Sequence, residues 1–144
     1  REFFTAAEKE TILAAIKVAE QRTSGEVRVF VESKCHFVNA LDRAQEVFAQ
    51  LKMEQTAERN ATLVYIAMDD RQAAVFGDEG IHQKVGQQYW EDEIKKMLLY
   101  FQNQHLVDGI VQCIHDIGDA LHYYFPYDRD TDKNELPDEI VFGK

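Results

Sequence analysis

The segment Gly77-Asp78-Glu79-Gly80 holds two carboxylates between two glycines. Elsewhere in the chain, Glu26 begins one apolar run and Asn60 precedes another. Carboxylate and amide oxygens are the hard ligands that Ca²⁺ and Mg²⁺ prefer, whereas zinc favours sulfur and nitrogen. A site for a divalent cation therefore forms if four side chains converge: Glu26, Asn60, Asp78 and Glu79.

A structural interpretation of the same residues stays open. Crowded carboxylates repel one another, and a bound cation relieves that cost. Arg59, immediately before Asn60, can relieve it through salt bridges instead. Asp78 is also a suitable residue to cap a helix that begins near Glu79. The pattern thus favours either a metal site or a helix cap with an Arg59 ion pair.

Three predicted strands decide whether these residues meet. Glu26 to Val31 alternates valine with other residues, which is typical of a strand. Leu63 to Met68 is a second strand, and Ala73 to Phe76 returns beside it as a hairpin. Asp69-Asp70-Arg71 forms the turn of that hairpin.

A helix separates the first two predicted strands, so we expect them to be parallel with a right-handed crossover. The hairpin makes the third strand antiparallel to the second. Glu26, Asn60 and Asp78 then lie at one edge of the sheet, and the turn residues Asp69 and Asp70 lie at the opposite edge.

Helical periodicity accounts for most of the remaining chain. Thr5 and Glu8 form a capping-box pattern at the start of the first helix. The second helix is expected to turn Leu41, Ala44, Val47, Phe48 and Leu51 inward. The predicted helices are Thr5 to Arg22, Ala40 to Met53, Ile81 to Asn103 with a break near Gly86, and Leu106 to Phe125. Amphipathic helices on both faces of a small mixed sheet predict an α/β fold, a three-layer α/β/α sandwich.

Length and charge limit the possible functions. The 144 residues suffice for one domain, predicted over residues 1–125, with an acidic C-terminal tail over 126–144. A formal net charge of −10 argues against nucleic acids and anionic membranes as partners. Cations are natural partners of such a surface, although the charge also serves solubility alone. No apolar run reaches the ~20 residues of a membrane span, and no leader peptide is expected.

Cysteine usage indicates a compartment. Cys35 and Cys113 are far apart and form no C-x-x-C pattern. We expect both to be reduced thiols in a cytoplasmic protein.

Several short motifs, in this order and spacing, resemble the TPM-domain family over roughly residues 5 to 125. They are Thr23-Ser24-Gly25-Glu26-Val27, Arg59-Asn60-Ala61, Asp69-Asp70-Arg71 and Gly77-Asp78-Glu79-Gly80-Ile81. The resemblance implies a Rossmann-like α/β/α sandwich, binding of calcium or another divalent metal in some members, and weak acid phosphatase activity. It carries over to Asn60, Asp69, Asp70, Arg71, Gly77, Asp78 and Gly80.

The chain departs from the family pattern at two of these motifs. Many members read Asp-Asn-Gly where this chain has Arg59-Asn60-Ala61. Many read Gly-Tyr-Gly where it has Val75-Phe76-Gly77. The first departure removes a carboxylate and adds a cation.

Three functions are compatible with these observations. The first is a non-catalytic or accessory module that binds Ca²⁺ or Mg²⁺ and serves a protein partner. The second is a weak metal-dependent acid phosphatase, in which the cation polarises a phosphoryl oxygen. The third is a purely structural protein-interaction domain. Against catalysis, Thr23 and Ser24 lie near the cluster in sequence but have no recognisable partner base.

Overall fold

The computed structural model describes residues 2–35, 38–127 and 140–143, which form five helices and four strands. In chain order these elements are α1 (Ala6–Glu20), β1 (Glu26–Glu32), α2 (Ala40–Gln50), β2 (Ala61–Ala67), β3 (Gln72–Gly77), α3 (Glu79–Val85), α4 (Gln87–Gln102), α5 (Leu106–Tyr124) and β4 (Ile140–Phe142).

The four strands form one open, mixed sheet in the order β3-β2-β1-β4. Strands β1 and β2 are parallel, with Glu26 opposite Ala61. Strand β3 is antiparallel to β2, with Gly77 opposite Thr62. The predicted parallel crossover and hairpin are therefore confirmed.

Strand β4 lies within the predicted acidic tail over residues 126–144 and attaches that part of the tail to the sheet. Ile140 and Phe142 pair in parallel with Val29 and Val31 of β1. The Phe142 ring stacks against Phe3 with centroids 6.5 Å apart. A strand of three residues is too short to show a periodic pattern, and a distant part of the chain supplies its pairing. Residues 128–139 of the predicted tail lie outside the described residues.

Helices cover both faces of the sheet, which confirms the α/β/α sandwich. The valines of β1 pack with α1, α4 and α5 in one apolar cluster. Phe30 of β1 faces the other way and packs in a second cluster with α2. This division follows from the alternation of side chains along a strand, so residues one position apart serve different layers.

Local signals set the helix boundaries. At α1, the Thr5 hydroxyl accepts from the Glu8 amide at 3.1 Å, and Glu8 Oε1 accepts from the Thr5 amide at 2.8 Å. This is the predicted capping box. The predicted break near Gly86 is also confirmed, because Gly86 has φ 81° and separates α3 from α4. Helix α3 begins at Glu79, two residues before the predicted helical range, and Asp78 is its N-cap, as the structural interpretation of this segment proposed.

Cys35 and Cys113 are buried free thiols, as expected for reduced cysteines. The cytoplasmic compartment itself stays a prediction. Among the described helices, none combines the length and the apolar character needed to cross a lipid bilayer.

Candidate functional site

The amino end of the parallel strands brings the predicted site residues to one edge of the sheet. Glu26 lies opposite Ala61, and the Asp78 amide donates to the Ala61 carbonyl at 2.9 Å. Asn60 immediately precedes Ala61. The predicted convergence of these backbones is confirmed.

Arg59 binds the Asp78 carboxylate with two nitrogens. Its Nε donates to Oδ2 at 2.6 Å and its Nη2 donates to Oδ1 at 2.9 Å. A third nitrogen, Nη1, lies 3.3 Å from Glu79 Oε1. The hydrogen bonds to Asp78 raise the pKa of the Arg59 guanidinium. The cation at this edge is therefore a side chain of the protein.

Asp78 also fixes the start of α3. Its Oδ1 accepts from the Glu79 amide at 2.8 Å, which caps the helix. The residue is buried, with 5% of its surface exposed. Both carboxylate oxygens are thus in use, one of them twice, and a metal ion would have to displace Arg59 to reach them.

The two glycines beside these carboxylates are required by close packing. A Cβ on Gly80 would lie 2.1 Å from the Glu58 carbonyl oxygen and 2.6 Å from that of Arg59. A Cβ on Gly77 would lie 2.3 Å from the Trp90 ring. Gly80 lets the first turn of α3 approach the loop that carries Arg59, and Gly77 makes room for Trp90.

Asn60 is fully buried and joins two loops. Its Nδ2 donates to Ser24 Oγ at 3.1 Å, and Ser24 Oγ donates to Glu58 Oε2 at 2.5 Å. Its backbone amide donates to Thr56 Oγ1 at 3.2 Å. Asn60 Oδ1 accepts no hydrogen bond from the described part of the chain. The side chain ties the start of β1 to the loop before β2.

Glu26 points away from Asn60 although their backbones are neighbours. Glu26 shares a register position with Ala61, which packs on the α2 side of the sheet. Asn60 is one residue earlier and so faces the opposite layer. Over residues 2–35, 38–127 and 140–143, no group of three or more His, Cys, Asp or Glu side chains is placed to hold a metal ion. The side chains as arranged do not form the predicted four-ligand shell.

Asp69 and Asp70 lie at the opposite edge, as expected, in the turn between β2 and β3. Asp70 Oδ2 accepts from the Cys35 amide at 2.8 Å. The Asp69 amide donates to the Ser33 carbonyl at 2.8 Å. These contacts hold the loop after β1 against the hairpin turn, which is a positioning role.

A buried polar cluster near this edge was missed in the sequence. The Glu32 carboxylate is 1% exposed and binds Arg43 through two nitrogens, at 2.8 and 3.0 Å. The Tyr65 hydroxyl also donates to Glu32. Burial, followed by the hydrogen bond to Glu32, raises the pKa of Tyr65, so the phenol stays protonated. The signal in the sequence is that Glu32, an acidic residue, directly follows the alternating valines of β1.

A second buried acid, Glu93, lies between α4 and α5. It is 3% exposed, and Lys96 Nζ lies 2.9 Å from its Oε2 and 3.0 Å from Asp116 Oδ2. Burial raises the pKa of Glu93 to about 7, and hydrogen bonding to Asp116 adds to the shift. Although burial acts to raise it, the pKa of Asp116 is lowered by hydrogen bonds from Glu93, Lys96 and Gln112. Of the two acids, Glu93 therefore takes up a proton more readily than Asp116.

An open mixed sheet between α2 on one face and α1, α4 and α5 on the other defines a three-layer α/β/α protein. The TPM domain model matches residues 1–120. The chain therefore belongs to the TPM-domain family.

The fold is also found in solved structures, among them the following two. The NMR structure of the BA42 protein from the psychrophilic bacterium Bizionia argentinensis is 38% identical, covers 99% of this chain and 97% of that one, and has a TM-score of 0.90. The N-terminal domain of the cg2496 protein from Corynebacterium glutamicum is 14% identical, with coverage of 83% and 74% and a TM-score of 0.62. The second likeness shows the fold alone. No curated protein matches the chain.

Proposed function

We propose that this TPM domain is a non-catalytic accessory module that binds a protein partner, and that Arg59 neutralises the carboxylates at the amino edge of its sheet. The observation that carries the role given to Arg59 is its two-nitrogen contact with both oxygens of Asp78. A planar guanidinium matches a carboxylate in this geometry. With Asp78 already paired to a cationic side chain, no metal ion is needed to offset that carboxylate.

The surroundings of the site argue against hydrolysis. Ser24 is the nearest hydroxyl in the network, and it is 9% exposed. Its oxygen accepts from Asn60 and donates to Glu58. A hydroxyl nucleophile needs a base that can take its proton and an open approach for the substrate. Glu58 is placed to act as such a base, a partner that the sequence did not reveal. Ser24 is buried, however, so a substrate has no open approach to its hydroxyl.

Binding of Ca²⁺ or Mg²⁺ is the second candidate, and one observation favours it. Asn60 Oδ1 is a buried acceptor without a donor among the described residues. Asp78 and Glu79 would complete a hard oxygen site only after Arg59 moves away. A weak phosphatase would depend on this cation for charge neutralisation and positioning, so it follows from this second candidate.

Calorimetric titration of chelator-stripped protein with Ca²⁺ and Mg²⁺ separates these candidates. We expect no saturable heat from the wild type at millimolar cation. The double variant Arg59→Asp, Ala61→Gly restores the Asp-Asn-Gly triplet of many family members and should gain affinity for the cation. Saturable binding to the wild type that Asp78→Asn abolishes would establish the cation site and overturn the role given to Arg59.

Hydrolysis of p-nitrophenyl phosphate from acid to neutral pH tests the absence of catalysis. We expect rates at the buffer background with and without Mg²⁺. Turnover that survives chelation would overturn the non-catalytic proposal. Turnover that needs the cation and is lost in Asp78→Asn would support the phosphatase.

A further inference from the structure

A groove of about 410 Å³ opens beside the carboxylates, between α2 and α4. Its walls include six side chains: Leu41, Phe76, His82, Gln87, Trp90 and Ile94. Leu41 was expected to point inward, but it is 36% exposed and forms part of the wall. The volume lies in the range of ligand pockets, roughly 300–1,000 Å³.

The groove presents side chains, and little strand backbone, to the solvent. Strand β3 is at the end of the described sheet, a position that often allows an extended peptide to add as another strand. Here Ala74 and Val75 are each only 1% exposed, and α2 and α4 both pack against the strand. A partner therefore has little access to the backbone of β3. Phe76 and Ile94, both half-buried, offer an apolar surface instead.

The negative charge of the groove and of the whole chain favours a basic partner. Among the described residues that line the groove, Asp78 and Glu79 are acidic and none is Lys or Arg. Arg59 is a single cation against both carboxylates, 2.6 Å from Asp78 and 3.3 Å from Glu79, so the pair keeps a net negative charge, and the Glu79 side chain remains 63% exposed. The chain carries a formal charge of −10, so two copies repel each other and a basic partner is attracted. This argues for a cationic partner and against self-association through the groove.

We propose that this groove binds a basic segment of a partner protein, with one large apolar side chain placed between the Leu41 and Ile94 walls and flanking Lys or Arg residues near Glu79. The inference rests on the proposed function as a protein-binding module and specifies its partner. The apolar anchor is desolvated in the groove, and the flanking charges contribute attraction and orientation.

Trp90 supplies a local reporter, because it is the single tryptophan of the chain. Its Nε1 donates to His82 Nδ1 at 3.0 Å, and both residues line the groove. A ligand in the groove should shift the indole N–H resonance in a ¹H–¹⁵N spectrum. The indole signal therefore distinguishes binding in the groove from binding elsewhere.

Three capped peptides test the proposal: Lys-Lys-Phe-Lys-Lys, Glu-Glu-Phe-Glu-Glu and Lys-Lys-Ala-Lys-Lys. We expect only the first to move the Trp90 indole resonance saturably. Glu79→Lys and Leu41→Ser should each weaken that binding by about fivefold, since each removes one charge pair or one apolar contact. The matched control Glu10→Lys makes the same charge change at an exposed position of α1, which contacts β1 and β4, the two strands farthest from β3 in the sheet, and should leave the affinity unchanged.

Each contrary outcome overturns a defined part of this proposal. If the alanine peptide binds as tightly as Lys-Lys-Phe-Lys-Lys, the apolar anchor is disproved. If the acidic peptide binds as tightly, the preference for a basic partner is disproved. If the peptide shifts other resonances but not the Trp90 indole resonance, it binds elsewhere. That result overturns the groove as the binding site and leaves a protein-binding function in place. A concentration-dependent dimer in sedimentation, with Trp90 at its interface, would make a second copy the occupant. Absence of any shift overturns this inference, whereas cation binding and hydrolysis test the proposed function separately.

Discussion

Arg59 and Asp78 are joined by two parallel hydrogen bonds, with N–O distances of 2.6 and 2.9 Å. Arg59 reaches this position with φ 52°, a left-handed conformation that is uncommon for a residue other than glycine. The kink aims its side chain from the loop before β2 toward the start of α3. One ion pair thus fastens the hairpin, the loop and the helix together.

Replacing Asp78 should separate its two roles, as the N-cap of α3 and as the ion-pair partner of Arg59. We expect Asp78→Ala to lower the free energy of unfolding by about 1–2 kcal/mol, because the helix cap is lost. Asp78→Ser keeps a capping oxygen and should recover much of that loss. Urea denaturation followed by circular dichroism measures both variants. If serine is no better than alanine, the cap contributes little and the ion pair dominates.

Gly80→Ala tests the close approach between α3 and the Arg59 loop. The new Cβ would lie 2.1 Å from the Glu58 carbonyl oxygen, so the loop must move. Overpacking of this kind costs about 1–3 kcal/mol. Lys84→Ala, an exposed change on the same helix, should stay within about 0.5 kcal/mol of the wild type. Equal stabilities of the two variants, measured in urea, would contradict the predicted contact.

Tyr65→Phe tests the buried cluster around Glu32. The hydroxyl donates to Glu32, and both residues have at most 1% of their surface exposed. Loss of a buried donor leaves the carboxylate less satisfied, which costs about 1–3 kcal/mol. Tyr123→Phe, at a side chain that is 72% exposed, is the matched control and should be nearly neutral. Thermal unfolding at neutral pH compares the pair, and similar midpoints would argue against a stabilising network.

The stability of the protein should depend on pH through Glu93. Burial raises the pKa of Glu93 from 4.5 in the unfolded chain to about 7 in the folded one. A raised folded-state pKa favours the native protein below about pH 4.5, and this contribution is lost as the pH rises through about 7. At pH 8 we expect Glu93→Gln to be more stable than the wild type, on the order of 2 kcal/mol.

The advantage of Glu93→Gln should shrink as the pH falls toward 4.5, because the wild-type carboxyl is then protonated too. Glu91→Gln, an exposed change on the same helix, controls for the loss of one negative charge. Urea denaturation at a series of pH values measures the difference. An advantage that is the same at every pH would show that Glu93 does not titrate in this range.

Local patterns in the sequence were sufficient to predict much of the fold. Thr5 and Glu8 mark the start of α1 because capping needs only residues three positions apart. The alternation from Val27 to Val31 marks β1, and the hairpin turn fixes the direction of β3. Strand β4 was missed, since its three residues are stabilised by pairing with a distant strand and carry no pattern of their own.

By itself the sequence determined that Glu26, Asn60 and Asp78 reach one edge of the sheet, because strand direction follows from connection length and turn geometry. Only the tertiary structure decided which side chains meet. Glu26 lies opposite Ala61, one residue after Asn60, so Glu26 and Asn60 lie on opposite faces of the sheet. The left-handed backbone conformation of Arg59 places its guanidinium against Asp78. Contacts between side chains depend on which face of the sheet each side chain lies on and on the backbone dihedrals, and residue spacing specifies neither.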